Sequence, residues 1–512
     1  MRKTIILLSF FSFLMANAQE ADYRYADATQ MWRLSNNAAG LSLDIDNAVD
    51  SSHYNRGYAL FNLQHQEGSY HRVQEGNSKN SLGFQAERYQ RIGRSLVGYG
   101  RFDFGMDHTK EKAWCDVMRP YDSNPYMSAS SVYGTYDTQT FDFTGALGTV
   151  GLGNWRVGAK LDYKVADLSR LRDPRSRSQL LDYKITPAVT YTSDAHTLGL
   201  SASYNRRKEK IANIQTVQND PNLSYYLLSG MENASGSVGA YKGFEREWVD
   251  HRFGGELTYA FRSGRQHTMV SLMMERGEEF VYGQYKYEPG RYTSFVYGGN
   301  IRSRLTTGNI LHEIDLGCQY AQGYADEYRQ KLVQTKDQQT GLTSYSYETQ
   351  LTYKKRYQVE TLNAELRYRA HFTEDKKDNA YAGFHIQMDK SRNKHLLPVS
   401  SLKHRGTTIM AEGGMNIAKN LWVDAVAGGH ISNEAALSLD DATTDYAVGV
   451  LIPDMQYYDA NYWRGRLQIT YEFPLTIKGQ LSRFFVRAYG DYLKTNNSLD
   501  AKCFGLSIGI FN

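Results

Sequence analysis

Short segments in which apolar and polar side chains strictly alternate recur along this chain. In residues 156–165 (RVGAKLDYKV), Val157, Ala159, Leu161, Tyr163 and Val165 face one way, and Arg156, Gly158, Lys160, Asp162 and Lys164 the other. Residues 362–372 (LNAELRYRAHF) set Leu362, Ala364, Leu366, Tyr368, Ala370 and Phe372 against Asn363, Glu365, Arg367, Arg369 and His371. Residues 463–473 (WRGRLQITYEF), 253–261 (FGGELTYAF) and 198–204 (LGLSASY) repeat the pattern. A period of two places alternate side chains on opposite faces of a strand, whereas an amphipathic helix would space its apolar residues by three and four. A length of about ten residues suits a tilted strand crossing a hydrocarbon layer. The apolar faces end in Tyr, Phe or Trp, the residues that form interfacial girdles.

The connections alternate too. Walking back from the C-terminus, short turns fall at 476–480, 418–420, 374–379, 306–309, 263–266, 193–196, 151–154 and 93–94. Longer loops fall at 433–461, 391–404, 324–358, 283–292, 206–248, 166–179, 109–132 and 66–80, with a short final hairpin at 495–498. Short periplasmic turns and long extracellular loops are the signature of a closed membrane barrel. The expected fold is all-β: a single transmembrane antiparallel β-barrel of about 18 strands, with a working range of about 14 to 18. The barrel occupies residues 55–512, and its first strand begins near Asn55. A soluble sandwich would need shorter strands and neutral, apolar inward faces.

The final residues close the count. From Phe504, the side chains of Phe504, Leu506, Ile508 and Ile510 form one apolar stripe, and Gly505, Ser507, Gly509 and Phe511 lie opposite. This tail, with its penultimate aromatic, resembles the closing strand and C-terminal assembly signal of Gram-negative outer-membrane β-barrels. The resemblance implies an integral outer-membrane location and handling by the barrel-assembly machinery during biogenesis. It also implies a surround of outer-membrane lipid and lipopolysaccharide. The pattern predicts that this strand pairs with the first, its glycine face and Phe511 toward the interior.

Residues 1–18 (MRKTIILLSFFSFLMANA) read as a secretory signal peptide, with a basic start, an apolar run and a small-residue cleavage site. Residues 19–54 are expected to form an N-terminal periplasmic arm or a lumenal hatch. Within them, 36–41 (NNAAGL) resembles a degenerate form of the Asn-Pro-Ala-Gly-Leu segment of barrels similar to the FadL hydrophobic-solute transporters, with Ala38 in place of proline. There a hatch plugs the lumen, which is what the resemblance implies here. Residues 41–45 alternate but fall outside the strand parity, which fits a plug or arm. So short an N-terminal stretch disfavours a separate plug domain and an energy-coupled receptor. The general resemblance is to porin or FadL-like outer-membrane barrels.

Composition agrees with long strands. The 512 residues include 40 Tyr, 44 Gly and only 9 Pro, against an average proline usage of about 5%. Proline cannot donate to a central ladder. A net charge of +4 gives no sign of a nucleic-acid partner. Cys115, Cys318 and Cys503 are too few and too scattered for a disulfide framework or a metal site. His251, His371, His385 and His430 sit in no catalytic motif, and no GxSxG, HExxH or phosphate loop occurs. The chain is therefore expected to be no enzyme, with no catalytic, cofactor-binding or metal residues and no cofactor.

Function must then come from the lumen and loops. The inward faces carry Arg101, Asp103, Arg156, Lys160, Asp162, Lys164 and Glu256. They also carry the candidate lining residues Arg367, Arg369, Arg464, Arg466, Arg487, Glu365, Glu472 and Asp491. Two readings stand: ion pairs and hydrated charges that fill the barrel, or an arginine lining that selects anions. The loops carry grouped tyrosines (Tyr225–Tyr226, Tyr345, Tyr347, Tyr457–Tyr458, Tyr462) suited to a sugar or protein surface. The leading expectation is a channel for small solutes across the outer membrane. The alternative is a non-conducting barrel subunit of an uptake, secretion or assembly complex, with an envelope protein bound through the loops.

Overall fold

A strand in hydrocarbon must hand every backbone N–H and C=O to a neighbouring strand, so a set of such strands is stable only if it closes. The computed structural model describes residues 30–46 and 55–511, apart from 122, 151, 213, 215–223, 239–244, 337, 375–376 and 478–479. Residues 1–29, expected to include a signal peptide, and 47–54 lie outside the described residues. Eighteen antiparallel strands form one closed sheet. They are β1 (Arg56–Gly68), β2 (Ser78–Ile92), β3 (Leu96–Lys112), β4 (Gly134–Thr149), β5 (Trp155–Arg170) and β6 (Arg177–Ser193). Next come β7 (His196–Ala212), β8 (Glu245–Arg262), β9 (Gln266–Gly283), β10 (Gly290–Thr307), β11 (Ile310–Lys336) and β12 (Thr343–Glu374). The last six are β13 (Lys377–Leu396), β14 (Val399–Ala418), β15 (Leu421–Ser438), β16 (Tyr462–Ile477), β17 (Gln480–Thr495) and β18 (Asp500–Phe511).

β18 closes the sheet on β1. Leu506 pairs with Leu63 and Ile508 with Phe61, so the apolar stripe of the tail continues across the seam. Its small face points inward. Gly505 stands opposite Tyr489 and Gly509 opposite Phe485 on β17. A side chain at Gly505 would collide with the Tyr489 ring, which lies across the glycine. Ser507 Oγ donates to Asn62 at 2.9 Å, and Phe511 stacks on the fully buried Phe485 with centroids 4.5 Å apart.

The outer face identifies the solvent. Leu63 is 55% exposed, Leu200, Leu272 and Phe504 each 58%, while lumenal Thr190, Ser201 and Thr258 are buried. An apolar belt of this extent is covered by lipid, not water. The protein is an integral outer-membrane β-barrel of 18 strands, surrounded by lipid.

Two sequence expectations need correcting. Residues 391–404 are not a long loop: β13 and β14 stay paired until Leu396 meets Val399. Residues 324–358 likewise continue as strands β11 and β12, paired out to Lys336 and Thr343. The β11–β12 ladder is bulged between Ala325 and Glu327 and between Arg329 and Gln330, which breaks the two-residue period, and residues 391–404 carry no continuous apolar face, so alternation fades while the ladder persists. Residues 41–45 belong to helix α1 (Leu41–Asp46). The segment packs on the wall without joining its ladder, and a helix pairs its backbone within the segment.

Leu506 and Ser507 test the two faces. Leu506→Arg should lower unfolding free energy by up to about 2–4 kcal/mol, and Ser507→Ala by about 1 kcal/mol or less. Urea unfolding of protein folded into lipid vesicles measures both, and equal losses would contradict the assignment of faces.

Candidate functional site

The lumen is occupied at two levels, with a cavity beneath the upper one. At the periplasmic level lies the N-terminal segment. Residues 32–34 and 38–40 form single 3₁₀ turns, and α1 follows. The Asp44 carboxylate folds the segment back on itself, accepting backbone N–H bonds from Met31 (3.1 Å), Trp32 (3.0 Å) and Arg33 (3.2 Å). Asn37 caps the second turn through the Ala39 N–H at 3.1 Å. The wall is shaped to receive it. A Cβ added at Gly148 on β4 would lie 2.6 Å from the Ala38 carbonyl oxygen. The corresponding distances are 2.5 Å from Gly158 on β5 to Ala39 N and 2.6 Å from Gly199 on β7 to Asn37 Nδ2. Glycines on three strands thus form a groove that only bare backbone permits. Polar contacts fix the segment in it. Ser35 and Asn36 donate to the Glu256 carboxylate at 3.2 and 2.9 Å, and Arg33 pairs with Glu87 at 3.3 Å. Arg56 donates to Gln30 at 2.7 Å.

At the extracellular level the loops fold inward as a dome. Trp114 from the β3–β4 loop packs on Tyr226 and Tyr446, centroids 4.6 and 5.2 Å away. These residues join one buried apolar cluster with Val450 and Leu451 and with lumenal residues at the strand ends, Trp248, Val281, Tyr292 and Tyr357. Its polar groups are paired internally. Trp248 Nε1 donates to the Tyr126 carbonyl at 2.6 Å, and Tyr126 Oη to the Asp326 carbonyl at 2.7 Å. Buried Asp116 accepts from Tyr136 Oη at 2.9 Å and lies 3.8 Å from Arg170. Helix α2 (Ile452–Tyr458) brings Asp454 against the β1–β2 loop. Asp454 accepts the Val73 N–H at 2.8 Å and the Tyr121 hydroxyl at 3.0 Å.

Beneath the dome, against β1–β3 and β16–β18, lies a cavity of about 920 Å³. This is within the range of about 300–1,000 Å³ for small-molecule sites. Lumenal Gln64, Gln66, Lys79, Asp107, Arg464, Arg466, Tyr489 and Asp491 line it, together with loop residues Tyr70, Arg72, Tyr121 and Tyr457. Arg464 is held by Asp491 through a forked contact of 2.9 and 2.6 Å. Arg72 pairs with Glu75 at 2.5 Å and lies over the Tyr121 ring at 3.6 Å. Tyr70 and Tyr457 stack at 4.5 Å.

Of the eight candidate lining residues, the structure gathers Arg464, Arg466 and Asp491 in this chamber. Arg367, Arg369 and Glu365 sit on β12 on a separate stretch of wall. There Arg369 makes a bidentate bond to Glu412, 2.9 Å in each arm, Arg367 lies 3.6 Å from the same carboxylate, and Glu365 is 3.7 Å from His385. Glu472 faces Arg483 at 3.6 Å, and Arg487 lies over the Phe485 ring at 5.3 Å. Other lumenal charges pair as neighbours, Arg101 with Asp103 at 2.7 Å and Lys160 with Asp162 at 3.3 Å. Sequence reasoning passed over Glu412, which pairs with two of the arginines. Its segment (MAEGGM) is too glycine-rich to show a clear period, although counting in twos from Met410 reaches it. Tyr70 and Tyr489, two of the chamber's rings, were also missed. Tyr489 is signalled by Gly505 opposite, and nothing signals Tyr70. Among the described residues, no group of His, Cys, Asp and Glu is placed to hold a metal ion.

Residues 47–512 match the model of a family of unknown function, DUF6850. No curated protein matches the chain. Among solved structures, the chain is similar to the copper transporter OprC (9% identity, 89% of this chain and 80% of that one, TM-score 0.40). It is also similar to the siderophore receptor PirA from Acinetobacter baumannii (10%, 90% and 81%, TM-score 0.39). A third is the ferric yersiniabactin uptake receptor FyuA from Yersinia pestis (9%, 90% and 80%, TM-score 0.41). At TM-scores of this size, none of them bears on what this chain carries.

Burial pushes the Asp454 carboxyl up from 3.8 to about 6, against the opposing pull of its hydrogen bonds and Arg72. The folded dome therefore binds a proton that the detached loop releases. Its stabilisation is complete below pH 3.8 and is lost as pH rises through about 6, a change on the order of 3 kcal/mol. Hydrogen exchange of residues 70–77, corrected for intrinsic rate, should be slower at pH 5 than at pH 7.5 in the wild type. In Asp454→Asn it should be independent of pH; an unchanged pH dependence there would assign the effect to another group.

Proposed function

The chain belongs to the DUF6850 family, whose function is unknown, and we propose that it is a gated channel for small hydrophilic solutes across the outer membrane. The observation that carries this reading is the polar chamber of about 920 Å³ inside a closed barrel, with a loop dome above it. On this reading residues 1–18 are the export signal, 19–54 include a lumenal hatch, and 55–512 are the channel wall. The hatch role rests on the seating of residues 30–46 in the glycine groove. Barrel closure needs no such groove, so the groove is explained by its occupant. The polarity of the chamber favours a hydrophilic cargo over the hydrophobic solute that a FadL-like resemblance would imply. The terminal strand supports handling by the barrel-assembly machinery during biogenesis.

One observation favours a second reading, a barrel subunit of an envelope complex. Outside the membrane, β11 and β12 continue as a two-stranded ribbon that exposes Leu332, Leu342, Tyr345 and Leu351. Such a ribbon offers a partner both apolar side chains and free backbone edges. A stoichiometric partner recovered in mild detergent, lost when 330–350 is shortened to a tight turn, would favour this reading over the channel.

Planar-bilayer recording tests the channel. Wild-type protein should open rarely, and a variant lacking 30–46 should conduct steadily. Gly158→Val, which thrusts a side chain against Ala39, should fall between them. Silence from all three, with heat-modifiable migration showing that the barrels are folded, would remove the channel reading.

A further inference from the structure

The chamber's positive charge exceeds what its own ion pairs consume. Seven Lys or Arg side chains line it against four carboxylates, and Asp500, outside the lining, pairs with Lys502 at 3.7 Å. Arg464 is taken up by Asp491, Arg72 by Glu75 and Lys79 by Asp107. Arg466 is not taken up: among the described residues, no carboxylate lies within ion-pair distance of it. Its guanidinium instead lies over the Tyr489 ring, 4.6 Å from the centroid, with one bond to Gln468 at 3.3 Å. The ring is fixed in turn by Gly505 beneath it and by its hydroxyl, which donates to Gln64 at 2.9 Å. A cation held by stacking rather than by a carboxylate keeps N–H donors available for an incoming anion. The rest of the lining supplies different chemistry. The Tyr70–Tyr457 stack offers rigid ring surface with hydroxyls at its edge, and Gln64, Gln66 and Tyr121 add donors and acceptors. A simple inorganic ion would use only the charge. Rings and hydroxyls around a fixed cation suit a compact, hydroxyl-rich molecule bearing one anionic group.

Building on the channel reading, we propose that the chamber is a binding site for anionic sugars, sugar acids or sugar phosphates, with Arg466 contacting the anionic group. Lys112 adds a second positive charge to the same lining, its Nζ 5.2 Å from the Tyr136 ring centroid. The tyrosines then orient the sugar ring, and its hydroxyls bond to the glutamines.

Isothermal titration of the full-length protein in detergent tests this with galacturonate and glucose 6-phosphate as probes. Glucose, glucosamine and inorganic phosphate serve as comparators. Both acids should bind at least tenfold more tightly than any comparator, and Arg466→Gln should weaken them tenfold or more. Lys331→Gln, on the exposed ribbon, should change nothing. A Trp114→Ala variant, which loosens the dome, is titrated alongside so that a sealed mouth is not mistaken for an absent site. The proposal is overturned by absence of binding to both wild type and Trp114→Ala, by glucose binding as well as the acids, or by indifference to Arg466→Gln. Inorganic phosphate binding as tightly as the sugar acids would also overturn it. The same preparations in planar bilayers separate the two readings: conductance without sugar binding removes this inference and leaves the channel, and binding without conductance does the reverse.

Discussion

Everything in this molecule follows from the need to satisfy backbone hydrogen bonds where no water can. In hydrocarbon an unpaired N–H or C=O costs several kcal/mol, so an open sheet edge is excluded and the last strand must find the first. β18 does so along its whole length, from Ala501 against Gly68 to Phe511 against Tyr58. Once the ring is closed, the period of two leaves each side chain only lipid or lumen. A one-residue slip at the seam would exchange the two faces, sending Leu506 and Ile508 inward and Ser507 outward. The seam also shows why glycines recur on the lumenal face of β18. Tyr489 lies flat over Gly505, so the glycine is the space the ring requires.

The same parity that makes the outside apolar makes the inside charged, and most of that charge is internally balanced. Arg369 and Arg367 converge on Glu412, Arg304 reaches both Glu313 and Asp315, and Lys184 meets Glu275. Removing one partner from such a buried set strands the other, which is far more damaging than the pair is stabilising. The pairs therefore read as the structural filling of a wide barrel. In the chamber Arg466 rests on the Tyr489 ring instead of a carboxylate, and it faces a cavity large enough for a small molecule.

The fold was legible in the sequence because hydrocarbon enforces a two-residue period with little tolerance, and eight short turns punctuate it. Legibility ended at the membrane surface. Residues 326–336 and 343–357 keep their ladder past the bulges beside Ala325 and Arg329, which break the two-residue period, and so they read as loop. Residues 41–45 alternate but were set outside the strands by parity, and they form one short helix packed on the wall. The site was less visible than the fold. Parity places Arg464, Arg466 and Asp491 in the lumen, but it carries no information on which inward residues share a height. It could not separate these three from Arg367 and Arg369, nor bring Tyr70 and Tyr457 from different loops to one stack.

The two occupants of the lumen differ in how firmly they are held, and on the channel reading this difference says which one moves. Among the described residues, the dome rests on a continuous cluster of 22 buried apolar residues drawn from several loops and from the strand ends. The N-terminal segment shares, among the described residues, in two clusters of five, each including wall residues, and it adds hydrogen bonds, the Arg33–Glu87 ion pair and the Arg33 guanidinium over the Tyr89 ring at 5.8 Å. Hydrophobic stabilisation scales with apolar area removed from water. Hydrogen bonds to Glu256 or Asp44 can be exchanged for bonds to water at a net cost near 1 kcal/mol each. Lifting the dome would expose many aromatic rings at once, whereas releasing the segment exposes few and empties a groove of bare glycine backbone. The lower free energy of opening lies on the periplasmic side.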